Sequence, residues 1–67
     1  MKLTNKEIKA CIKAAAEVGD DVTREDVKLY MGHYFGIKTV EGRDIAQYTD
    51  RSGIGAEVYV DTLEVLS

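Results

Sequence analysis

Apolar positions follow a helical period in the first half of the chain and a strand period in the second. Over 4–18, Ile8, Cys11, Ile12, Ala15 and Val18 recur at helical spacing and predict one apolar stripe. Thr4 is a good N-cap, and Glu7 three residues on completes a capping box. Leu3 before the cap can staple to Ile8, and Gly19 supplies the left-handed residue that ends helices. Lys6, Lys9 and Lys13 line the opposite side as a basic ridge, extended by Lys2. Residues 24–35 repeat the logic. Thr23 caps, Asp26 takes the box position, and Val22 can staple to Val27. Glu25 and Asp26 sit in the first turn, where the helix dipole favours negative charge. Val27, Tyr30, Met31, Tyr34 and Phe35 form the predicted buried stripe, and Gly36 closes the helix. Gly32 inside it costs about 1 kcal/mol relative to Ala, a cost that close approach of Ala14, Ala15 and Ala16 would offset.

Beyond Gly36 the pattern turns to β. Ile37–Val40 is a short strand, Glu41-Gly42 a turn with Gly42 free to take positive φ, and Asp50-Arg51-Ser52-Gly53 a type I turn. Residues 43–49 read as a middle strand, although Asp44 could instead cap a short helix with Gln47 as its box partner. Ala56–Leu66 is the strongest strand: Ala56, Val58 and Val60 alternate with Glu57, Tyr59 and Asp61. The apolar parity shifts after Thr62, which predicts a bulge or bend there. The expected fold is α+β, one domain over 1–67: an N-terminal helical hairpin packed on a small antiparallel β-sheet (ααβββ).

Size sharpens this picture. A chain of 67 residues buries only about 60% of the surface its unfolded form exposes. One cysteine excludes an intrachain disulfide, and one histidine excludes a His/Cys zinc cluster. Stability must come from local signals or self-association, so a homodimer is one expectation. Met1-Lys2-Leu3-Thr4 leads straight into a polar helix start with no signal-peptide core, and no apolar run suits a membrane helix. A lone cysteine then fits a reducing, cytoplasmic compartment.

The net charge of −3 is unevenly spread. In 1–18, Lys2, Lys6, Lys9 and Lys13 outnumber Glu7 and Glu17, for +2. In 39–67, six carboxylates face Arg43 and Arg51, for −4. Nucleic-acid binders are usually basic, so this balance disfavours that class.

No catalytic set emerges. Cys11 lies on the apolar stripe and reads as a small buried hydrophobe. His33 reads as a surface group with no orienting third residue. The carboxylates are explained by turns, helix starts and a solvated strand face. The Asp20–Asp26 stretch lacks calcium-loop spacing. Ser52–Ala56 is glycine-rich but precedes a strand, unlike a phosphate loop. The expectation is a non-enzymatic chain with neither cofactor nor metal.

What remains is binding. Tyr30 and Tyr34 are expected in the core. Tyr59 lies on the strand face opposite Val58 and Val60, and exposed tyrosines on rigid elements are favoured anchors. The predicted contact surface is Tyr48, Glu57, Tyr59, Asp61 and Glu64, an acidic sheet face docking on a basic surface of a partner protein, including a nucleic-acid-binding one. In size and charge the chain resembles small acidic phage-type inhibitors of host enzymes or defence complexes. The alternative is a helix-turn-helix-like DNA-binding regulator in which 24–35 enters the major groove with Arg24, Lys28 and His33. A third option is a subunit whose long C-terminal strand pairs with a partner strand.

Overall fold

The computed structural model describes residues 2–66. Helix α1 spans Asn5–Glu17 and helix α2 spans Arg24–Leu29. Strands β1 (Phe35–Val40), β2 (Arg43–Thr49) and β3 (Gly55–Tyr59) form an antiparallel sheet in the order β1-β2-β3.

Both helix starts follow from their capping boxes. Thr4 Oγ1 accepts from the Glu7 N–H at 3.1 Å, and Glu7 Oε1 accepts from the Thr4 N–H at 2.7 Å. Thr23 and Asp26 repeat the exchange at 3.1 and 2.9 Å. Each box satisfies two otherwise orphaned donors. α1 buries a broader stripe than its large apolar residues suggest, because Ala10 and Ala14 join Ile8, Cys11 and Ala15 in full burial. Small side chains let the helix lie close over β2 and β3. α2 packs chiefly on α1.

The expected helix 24–35 ends six residues sooner. Tyr30 caps α2, its carbonyl accepts from the His33 and Tyr34 N–H groups, and Gly32 turns the chain at φ +84°. A glycine costs a helix interior but adopts positive φ freely, so the turn prevails. Phe35 therefore enters the core from β1 rather than from a helix, while Tyr30 lies at the surface and Tyr34 is half-buried. A methyl group at Gly32 would meet nothing within 4 Å, so no close approach of α1 explains that glycine.

Residues 43–49 are strand, as the first of the two readings has it. Val40 pairs with Arg43 across Glu41-Gly42, whose φ angles of +53° and +78° make a type I′ turn. That turn matches the twist of the flanking strands, but Glu41 bears a side chain in the left-handed region. Glu41→Asn is expected to raise unfolding stability by about 0.5–1 kcal/mol. A urea midpoint that is unchanged or lower would contradict the turn assignment.

The long C-terminal strand divides. β3 stops at Tyr59, the chain turns over 60–62, and Leu63 takes φ +62°. Residues 64–66 then run back along β3: the Tyr59 N–H donates to the Glu64 carbonyl at 2.8 Å, and the Leu66 N–H to the Glu57 carbonyl at 2.9 Å. The parity shift after Thr62 is thus a reversal, and the chain's own tail covers the edge that β-augmentation would need. The core lies between α1 and one sheet face, with Phe35, Ala46, Tyr48, Val58 and Val60 meeting Ile8, Cys11, Ala14, Ala15 and Val27. The architecture is α+β: the long helix α1 lies on an antiparallel three-stranded sheet, and the short helix α2 packs against α1 rather than on the sheet as the expected helical hairpin would.

Candidate functional site

Pleating sends Tyr59, Glu57, Gln47, Ile45, Arg43 and Lys38 to the sheet face away from α1. Tyr59 is half-buried there, opposite Ile45, as the strand alternation requires. The surrounding charges are paired. The Arg43 guanidinium lies 3.6 Å from the centre of the Tyr59 ring and forks onto Asp61 at 2.8 and 3.2 Å. Lys38 Nζ sits 2.7 Å from Glu57 Oε2, which also accepts from Gln47 Nε2 at 2.7 Å. Hydrogen bonds from Arg43, and from Lys38 and Gln47, hold the carboxyls of Asp61 and Glu57 below their usual range. Together these side chains roof Ile45, which is only 3% exposed. The face is therefore nearly balanced in charge, with Lys38 and Arg43 against Glu57, Asp61 and exposed Glu64, rather than strongly acidic.

Tyr48 does not join it. Its register partner is Ala56, on the α1 side, where it is 8% exposed and packs on Phe35 with ring centres 4.8 Å apart. Its hydroxyl donates to Asp20 Oδ2 at 2.5 Å. That bond, then burial, pushes its pKa up to about 12. The DNA-contact trio also separates. Arg24 and Lys28 border one groove with Leu3 and Ile8, whereas His33 borders another with Tyr30 and Tyr34. A six-residue α2 is too short to be the recognition helix expected over 24–35.

The groove beside His33 is the feature the sequence did not disclose. It is an open groove of about 740 Å³ and draws on the α1–α2 connection, the turn after α2, and the β2–β3 loop. Tyr30, His33 and Tyr34 form one wall, with Tyr30–Tyr34 ring centres 5.3 Å apart and His33 edge-on to Tyr34 at 5.2 Å. Phe35 and Tyr48 supply the floor. Asp20, Asp26 and Asp50 stand around it, against one cation, Arg51, whose Nε donates to Tyr34 Oη at 3.3 Å. Each carboxylate has a structural task. Asp20 Oδ2 holds Tyr48 and Asp26 Oδ2 caps α2, while Asp50 Oδ1 ties the loop by accepting from the Ser52 N–H, Ser52 Oγ and the Ile54 N–H. The Ser52 hydroxyl, with the loop amides, keeps the Asp50 carboxyl below its usual range. Oδ1 of Asp20 and of Asp26 makes none of these bonds and can accept from a ligand.

Aromatic faces and carboxylates around one cavity suit a cation with an apolar stem. The signal for it is Gly32 between Tyr30 and Tyr34, which marks a turn that exposes Tyr30 and leaves Tyr34 half-buried beside it.

Cys11 is fully buried, and burial, with Glu7 nearby, pushes its thiol up to about 11. Among the described residues no group of three His, Cys, Asp or Glu side chains could hold a metal ion. Among the described residues, no helix is long and apolar enough to cross a membrane. No family model, curated protein or solved structure matches the chain.

Proposed function

We propose that this chain is a non-enzymatic protein-binding module that docks on a basic surface of a partner through the aromatic groove. Supporting this reading is the juxtaposition of Tyr30, Tyr34 and Tyr48 with Asp20, Asp26 and Asp50 around one groove, at whose edge Arg51 Nε already donates to Tyr34 Oη. An incoming Arg or Lys would lay its stem on the rings and its charge among the carboxylates. Where the basic surface is a nucleic-acid-binding groove, occupying it makes the module an inhibitor.

The predicted docking residues shift accordingly, from Glu57, Tyr59, Asp61 and Glu64 to the groove, with Tyr48 common to both. Tyr30, at 38% exposure, is the accessible anchor. Tyr30→Ala is expected to weaken binding of a fluorescent nona-arginine peptide about tenfold. Glu57→Gln with Glu64→Gln is expected to change it less than about threefold. The reverse order of effects places the docking surface on the outer sheet and rejects the groove.

A further inference from the structure

A second groove, of about 700 Å³, lies between the start of α1 and the length of α2 with the turn that follows it. Its character is opposite to that of the first. Ile8, 1% exposed, and the core-packed Leu3 and Met31 make an apolar floor. Lys2, Arg24 and Lys28 stand at the rim, and no carboxylate lines it, in a chain with 12 acidic and 9 basic residues. The ion pairs among the described residues are Lys38–Glu57 and Arg43–Asp61, and neither involves a rim cation. Arg24 also reaches across to α1, where its Nη2 donates to Asn5 Oδ1 at 2.9 Å. The volume falls within the roughly 300–1,000 Å³ of small-molecule sites, which pair apolar linings with a few placed polar groups.

We propose that this groove binds a small anionic amphiphile, a carboxylate or phosphate head on an alkyl body. The head pairs with Arg24 and Lys28, the former offering a planar fork. The alkyl body covers the half-buried Leu3 and Met31, above the already buried Ile8. The residues and the ligand charge both differ from those of the aromatic groove, so either proposal can fail alone.

The test is a titration of the isotope-labelled protein with monomeric decanoate, followed by amide chemical shifts, beside decanol. Saturable shifts at Leu3, Ile8, Met31 and Gly32 are expected, with decanol binding at least about tenfold more weakly. Arg24→Ala with Lys28→Ala, both exposed in the parent, should weaken decanoate about tenfold, and Tyr30→Ala should leave it unchanged. Lys28→Gln alone removes one rim charge without offering Arg24 a new carboxylate partner; it should weaken decanoate about threefold, and unchanged affinity counts against the proposal. Equal affinity for decanoate and decanol, or shifts scattered without saturation, overturns the proposal. So does association with phosphatidylglycerol vesicles without any response to monomeric decanoate, which points to a membrane surface instead of a ligand groove.

Discussion

Gly55→Ala is expected to destabilise the protein by about 3 kcal/mol or more, a large share of the stability of so small a domain. Gly55 opens β3 opposite Thr49. A methyl group there would overlap the Tyr48 backbone carbonyl oxygen and press on Thr49 Oγ1 and Cα, at 3.0 and 3.1 Å. A backbone oxygen paired into a sheet cannot swing aside as a flexible side chain can, so the end of the β2–β3 ladder must separate. The consequence reaches the aromatic groove, because Tyr48 is both its floor and the partner of Asp20. Gly36→Ala is the control. Its added methyl would approach only Gln47 Oε1, at 3.7 Å, an ordinary contact. Urea denaturation should show a large loss for Gly55→Ala and a change below about 1 kcal/mol for Gly36→Ala. Equal effects would mean that the close approach of β2 and β3 at Gly55 is not as described.

Alkaline solution is expected to destabilise the protein as well. The Tyr48 hydroxyl is raised from 10.0 to about 12 by its bond to Asp20 and by burial, and the Cys11 thiol from 9.0 to about 11 by burial. Both groups hold their protons more tightly when folded. Above the ordinary pKa the unfolded chain therefore binds fewer protons than the native one, and stability falls as pH rises. The Cys11 contribution is intact below pH 9 and lost towards pH 11; that of Tyr48 is intact below pH 10 and lost towards pH 12. The two losses have the same sign and fall in successive pH ranges, Cys11 first and Tyr48 after it. Thermal midpoints should hold steady up to pH 9 and then drop steeply. Tyr48→Phe should remove the steeper, higher-pH part of the fall, and Cys11→Ala the earlier part. A midpoint that stays flat to pH 11 in the parent protein would show that neither group is held as described.

The features legible in the sequence are those whose chemistry is local. Both capping boxes join residues three apart, and the Glu41-Gly42 hairpin is a two-residue event, so neither needs knowledge of distant contacts. The alternation of Ala56, Val58 and Val60 with Glu57 and Tyr59 likewise assigns the two faces of β3 correctly. The spacing of Val27, Tyr30, Met31, Tyr34 and Phe35 misleads, because a short helix, a glycine turn and a strand entry satisfy it as well as one long helix does. In β2, Ile45 and Ala46 are adjacent and both buried, one under the Arg43–Tyr59 roof and one under α1. Alternation alone therefore could not say which way Tyr48 points. The aromatic groove was illegible for the same reason: its parts come from 20–26, 30–35 and 48–52, joined only by long-range bonds such as Tyr48–Asp20.

That groove is the centre of the account, and amide chemical-shift mapping during titration with nona-arginine tests it most directly. Shifts concentrated at Asp20, Tyr30, His33 and Ser52, weakening as salt rises, are the predicted result. Shifts concentrated at Lys38, Glu57 and Tyr59 on the opposite sheet face, or none at all, would contradict it.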